Sequence, residues 1–177
     1  DITGNAEVLD EYELQLSVFR KNLRDEETGF YRHMYDDDKQ EVTPEEPLFW
    51  GRGNGWVFVA NNIAKQRFPV AYQERLPDLQ SDIDEMFASI VASDTVGGRF
   101  HTIINRPDTY LETSAGLLYA YGLYQDVIGQ KKSLGKGSKH HVEYDYIQKE
   151  NKETKKKLAE EWLQGAVNVS TTDSLGN

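Results

Sequence analysis

Five stretches of this chain carry apolar residues at helical spacing, and a helix of that kind must bury its apolar side against a neighbour. In the first, Leu9, Tyr12, Leu16, Phe19 and Leu23 recur with acidic residues between them, which predicts an amphipathic helix over 6–23. In the second, Trp56, Val57, Val59, Ala60, Ile63 and Ala64 form a face broad enough to predict a buried helix, starting near Gly53 or Asn54 and ending at about Arg67. The third follows Pro77 with the stripe Leu79, Ile83, Met86, Phe87, Ile90 and Val91; acidic residues in its first turns suit the positive end of a helix. The fourth is expected from about Glu112 to Ile128, with Leu117, Tyr121, Tyr124 and Ile128 on one face. Ser114, Ala115, Gly116, Ala120 and Gly122 are small enough there for close helix packing. The fifth, from about Tyr144 to Leu163, is densely charged and docks through Ile147, Leu158 and Trp162.

The connections share a pattern. Asp25 to Gly29 reads as a turn before the extended segment Phe30-Tyr31-Arg32-His33-Met34-Tyr35. Gly97-Gly98 reads as a turn before Arg99-Phe100-His101-Thr102-Ile103-Ile104. Each unit is helix, Gly-containing turn, short aromatic-His segment, loop, helix. That suggests an internal helical-hairpin repeat, and such a repeat needs neighbours to cover its faces. The expected fold class is all-α. Asp36 to Lys39, Pro44 to Pro47 and Asn105 to Asp108 read as loops, and Gln130 to His141 as a mobile Gly/Lys/Ser-rich loop. Val167 to Ser170 reads as a short strand.

Composition excludes several function classes. There is no cysteine, so disulfides, thiolate metal sites and thiol nucleophiles are out. Thirty acidic residues against 20 Lys and Arg give a formal charge of -10, which repels phosphate backbones and argues against a nucleic-acid partner. An anionic small molecule would need a local cation. No apolar run approaches the ~18 residues that span a bilayer, so no membrane partner is expected. The start, Asp1-Ile2-Thr3-Gly4, lacks both Met and the features of a signal peptide, and the chain is expected to be a processed product or a piece. Whether it works in the cytoplasm or the periplasm is not legible from these residues.

The stretch richest in chemistry is Phe49-Trp50-Gly51-Arg52-Gly53-Asn54-Gly55-Trp56. Glycines let a backbone approach a ligand, tryptophan faces stack on sugars, and arginine grips carboxylates with a fork of donors. A helix start also favours anions. The alternative is a Gly-rich helix start with two core tryptophans. His33 and His101 are far apart in sequence and each sits beside apolar residues. Each reads either as a site residue or as a hydrogen-bonded structural histidine, and neither suggests a metal. Asp36, Asp37 and Asp38 read as a solvated loop, and His140 and His141 as surface.

This stretch resembles the signature of the unsaturated rhamnogalacturonyl and unsaturated glucuronyl hydrolases, glycoside hydrolase families 105 and 88, with the rhamnogalacturonyl branch the nearer. Three more segments agree in order and approximate spacing: Gly29-Phe30-Tyr31-Arg32-His33-Met34-Tyr35-Asp36, Gly98-Arg99-Phe100-His101, and Tyr110-Leu111-Glu112-Thr113-Ser114-Ala115. The resemblance covers roughly residues 1–130. It implies an (α/α)6 toroid of twelve helices, of which residues 1–177 would be the C-terminal portion and less than half.

What the resemblance implies for chemistry is specific. These enzymes act on a non-reducing-end uronate with a C4=C5 double bond: an aspartic acid protonates C4, water adds at C5, and the hemiketal opens to expel the remaining sugar. The family's aspartate lies upstream of a segment resembling Thr3-Gly4-Asn5, so it is expected before Asp1, and the 177 residues alone are expected to be inactive. Trp50, Arg52 and Trp56 would line the sugar site, with Arg52 facing the carboxylate. His33 would stand at its rim, and His101 and Glu112 would complete the set. Glu112 reads structurally as either a helix cap or a partner that orients Arg52. No cofactor is implied. The partners implied are an unsaturated oligosaccharide and either a second copy or a chain carrying the missing half. The rival readings are a non-catalytic carbohydrate-binding or structural helical-hairpin protein and, third, another toroid enzyme such as an epimerase or a lyase domain.

Overall fold

The computed structural model describes residues 6–68, 74–93, 95–133 and 141–173. Among them are five helices: α1 (Ala6–Leu23), α2 (Gly51–Arg67), α3 (Leu79–Ala92), α4 (Ser114–Ser133) and α5 (His141–Asp173). Between α1 and α2 lies a hairpin of β1 (Met34–Asp36) and β2 (Glu41–Thr43), antiparallel with Tyr35 opposite Val42. Between α3 and α4, β3 (Thr95–Val96), β4 (Arg99–His101) and β5 (Leu111–Glu112) form a three-stranded antiparallel sheet in that order. Strands this short serve as connections between helices and form no sheet core of their own, so the all-α expectation holds.

The core lies where α2, α4 and α5 meet the β3–β5 sheet. Phe58 of α2, Phe100 of β4, Tyr119 of α4 and Trp162 of α5 are all buried and meet edge to face, with Phe100 and Tyr119 centroids 5.0 Å apart and Phe100 and Trp162 5.4 Å apart. That is the geometry the aromatic quadrupole favours. Small residues on both helices allow the approach: a Cβ on Gly122 of α4 would stand 2.5 Å from the Phe58 ring, and one on Gly55 of α2 2.8 Å from Leu118. On the other side, Ile83, Met86 and Ile90 of α3 are buried. The turn at Gly29, φ +70°, brings its backbone against Met86.

Charge also joins the helices. Asp126 of α4, with its side chain 2% exposed, accepts from Lys65 of α2 at 3.1 Å and Lys155 of α5 at 2.6 Å. Arg20 of α1 and Arg24 just after it both pair with Asp82 of α3, and Arg24 also pairs with Glu85.

Several element boundaries differ from those read in the sequence. The second helix begins at Gly51, not Gly53 or Asn54, so Arg52 is inside its first turn. Glu112 is in a strand, not at a helix start, because residues 111–112 pair with β4. Residues 130–133 belong to α4 and His141 begins α5, so neither is loop; 134–140 lies outside the described residues. Val167 to Ser170 is helical, not a strand. Its β-branched residues are overridden by packing: Gly165 places α5 so close to the β3–β4 turn that a Cβ there would stand 2.3 Å from the Gly97 carbonyl. Gln164 further ties Asn168 one turn on.

Candidate functional site

The site is assembled where the segment before α2 zips onto the segment after β4. Gly51 N–H donates to the Thr102 carbonyl at 2.9 Å, Ile104 N–H to the Phe49 carbonyl at 2.8 Å, and Trp50 and Ile103 form an antiparallel bridge. Asn105 clamps the same segment, its amide donating to the Pro47 carbonyl and its oxygen accepting from Phe49 N–H. The buried Tyr119 hydroxyl donates to the Gly51 carbonyl at 3.0 Å. Burial, and secondarily the nearby Glu112 charge, push the Tyr119 phenol well up, so it stays a neutral donor.

Trp50 caps α2, and its ring lies over Gly53: a Cβ at 53 would stand 2.7 Å from Trp50 Cε3. The His33 ring meets that of Trp50 edge-on, centroids 5.6 Å apart. With Pro44, Leu48, Thr102 and Ile103 these two rings line a concavity of about 300 Å³. Arg32 shapes one wall, donating to the carbonyls of Pro44 and Glu45 at 2.7 and 2.6 Å.

Arg52 stands against the same tryptophan, with Cζ 4.8 Å from the ring centroid, a cation–π contact. Its side chain is 46% exposed, and its Nη1 lies 3.7 Å from Glu112 Oε2, an ion pair too long for a hydrogen bond. Glu112 itself is buried. Its Oε2 accepts from the Ser114 hydroxyl at 2.8 Å, while its Oε1 accepts no hydrogen bond from the described residues.

The structure therefore gathers His33 and Arg52 around Trp50, with Glu112 behind Arg52, although of these only His33 and Trp50 line the concavity. It leaves two expected residues apart. Trp56, one turn beyond Arg52 on α2, is 60% exposed and does not line the concavity, so it is neither a core tryptophan nor a wall of this pocket. His101 is buried, and since a carbonyl can only accept, its Nδ1 carries the proton donated to Thr109 at 2.7 Å. It supports the site from behind: its carbonyl stands 3.2 Å from where a Gly51 Cβ would be. His140 lies outside the described residues. Among the described residues no group of three His, Asp or Glu is placed to hold a metal, and no helix is long and apolar enough to cross a membrane.

Sequence reasoning missed Asn54. Its amide donates to the Tyr31 and Trp50 carbonyls at 3.0 and 3.1 Å, and its oxygen accepts from Tyr31 N–H at 2.7 Å. The one available signal was an asparagine among the glycines of the Trp-Arg run.

Known proteins share this fold. A Bacillus subtilis (strain 168) protein, the unsaturated rhamnogalacturonyl hydrolase YesR, is 29% identical over 93 residues, a match taking in 52% of this chain and 26% of that protein. A solved structure from Salmonella enterica serovar Paratyphi A, described as a possible member of family GH105, superposes with a TM-score of 0.70 at 22% identity, covering 94% of this chain and 39% of the other. A family 88 glycosyl hydrolase from Bacteroides vulgatus gives 0.63 at 23% identity, covering 93% and 44%. The chain thus spans less than half of each of these proteins, and its helices form part of an α/α toroid. The model of Glycosyl Hydrolase Family 88 matches residues 1–158, nearly the whole of the described fold together with the Trp50–Arg52 segment, and the chain belongs to that family.

Proposed function

We propose that this chain supplies the uronate-holding wall of a hydrolase acting on unsaturated uronyl oligosaccharides. One observation carries the reading. In a protein of net charge -10, the half-exposed Arg52 guanidinium makes no hydrogen bond to any described residue while leaning on a tryptophan at the edge of a concavity. Its fork of donors is free for a carboxylate, and the Trp50 ring offers a stacking surface for the sugar. His33 stands at the rim. Trp56, on the same face of α2 one turn on, would meet a longer oligosaccharide.

In this reading the reaction is hydration of the C4=C5 bond. An acid protonates C4, water adds at C5, and the resulting hemiketal opens to release the remaining sugar. The step needs one tuned acid, a positioned water and a carboxylate clamp, and these residues supply the clamp. Among the described residues, the carboxylate paired with the clamp is Glu112, buried and already bonded to Ser114. We therefore place the acid outside residues 1–177. The same facts favour, as a second reading, a carbohydrate-binding protein without turnover.

Calorimetric titration with an unsaturated uronyl disaccharide tests the clamp. Arg52→Ala should weaken binding by about 1.5–3 kcal/mol, the worth of a charge-assisted hydrogen bond. Equal affinity for both proteins would refute it. Turnover is followed by loss of the ultraviolet absorbance of the conjugated enol ether. Residues 1–177 alone should leave that absorbance unchanged; a decay would mean that the acid lies within them, with Glu112 the first residue to replace.

A further inference from the structure

We infer that Glu112 is a positioning residue that acts on ligand only through Arg52. The inference rests on the clamp reading above and assigns what holds the clamp in register.

Three features of Glu112 point this way. First, its carboxylate is fixed. The residue lies in β5, paired to β4, and Oε2 is held by the Ser114 hydroxyl. Second, its charge is accommodated without a hydrogen-bonded cation. Glu112 precedes the first residue of α4 by two positions, and its Oε1 lies 3.4 Å from the place where a Cβ would stand on Gly51, the first residue of α2. The positive ends of two helices therefore converge on one buried carboxylate. Third, the side chain is 7% exposed, so ligand does not reach it directly, whereas Arg52 at 3.7 Å is reached by solvent.

Arginine is long and loses rotamer freedom when a ligand fixes it. In this site that freedom is already restricted from two sides. The Trp50 ring supports the guanidinium face, and the buried Glu112 attracts one end of the fork. Because the contact to Glu112 is longer than a hydrogen bond, the donors of Arg52 are oriented without being used up. A shorter, bidentate pair would have neutralised the clamp. Gly51 makes the arrangement possible: a side chain there would meet Ala115 and the His101 carbonyl, each at 3.2 Å, as well as Glu112.

A double-mutant cycle on the full chain tests this, with affinity for an unsaturated uronyl disaccharide measured by calorimetry. Glu112→Gln keeps the shape and an acceptor for Ser114. It should weaken binding roughly threefold to tenfold, the cost of ordering one long side chain. In the Arg52→Ala background the same substitution should change nothing. An equal loss in both backgrounds would mean that Glu112 acts on its own and would overturn the inference; so would unchanged or tighter binding in the single variant. A wild-type chain that does not bind the disaccharide fails the clamp reading instead. A second measurement needs no ligand. The Arg52 side-chain Nε–Hε resonance should show restricted motion in the wild type and fast averaging in Glu112→Gln. Equal order in both proteins, each folded by its amide spectrum, would overturn the inference independently.

Discussion

Asn54 sets the distance between the extended segment that carries His33 and the helix start that carries Arg52, because its one buried amide serves the Tyr31 N–H, the Tyr31 carbonyl and the Trp50 carbonyl. Asn54→Ala would strand both backbone groups of Tyr31 away from water. It should cost about 1–3 kcal/mol of stability, with a matching fall in Tm by calorimetry. It should also separate the His33 and Trp50 rings; a variant with unaltered Tm would show that the contact carries no weight. Trp50 and Arg52 were legible in the sequence because their residue types are informative beside glycines. Asn54 was not, since its meaning depends on a partner 23 residues away. The two histidines make the same point. His33 and His101 occupy like places after aromatic residues, yet one lines the concavity and the other is buried on Thr109. Local pattern gave no sign of which carbonyl would be in reach.

The helices themselves were legible because apolar spacing is a property of each element alone, although in α4 the expected face of Leu117 and Tyr121 is exposed and Tyr119 and Leu123 enter the core instead. All five were anticipated, and the ends of α1 and α2 fell within a few residues of those observed. What local pattern could not show was how neighbours extend or recast an element: α5 continues past Leu163 because Gly165 seats it on the Gly97–Gly98 turn, and residues 111–112 pair as a strand because β4 lies alongside. Nor could it show that Asp126 joins α2, α4 and α5. Burial pushes the Asp126 carboxyl up, but the hydrogen bond and charge of Lys155 and the charge of Lys65 outweigh it, holding the group below its ordinary value. The folded state thus takes up this proton less readily than the unfolded chain. The contribution of Asp126 to stability is complete above the ordinary carboxylate range, near about pH 4, and is lost as pH falls through the lower folded value. Asp126→Asn should lower Tm at neutral pH and flatten the acid side of the Tm–pH curve. If the variant and wild-type curves run parallel below about pH 4, the linkage does not run through this residue.

At the scale of the molecule, α1 is apolar on two sides. Tyr12, Leu16 and Leu23 pack toward the core, while Val8, Leu14, Val18 and Phe19 are between 42% and 56% exposed. The inner side was legible as a stripe in the sequence, although that stripe also took in Phe19, which is half-exposed. The outer side was not, because its residues share the helix with the same acidic residues that made it read as solvated. Hairpins in an arc leave apolar faces wherever the next hairpin would pack, and exposed apolar surface favours association. Opposing it is the net charge of -10, which makes copies of the chain repel one another. The two effects respond differently to salt. Screening shortens the range of the repulsion, to about 10 Å at 0.1 M, and leaves apolar burial intact. Light scattering on residues 1–177 should therefore find a species heavier than the monomer, with association strengthening as salt is raised from low ionic strength. Val18→Glu with Phe19→Glu should return it to monomer, since both charges would be desolvated at the contact. A clean monomer across the same salt range, melting cooperatively and independently of concentration, would mean that the outer face of α1 is stable in water without a partner.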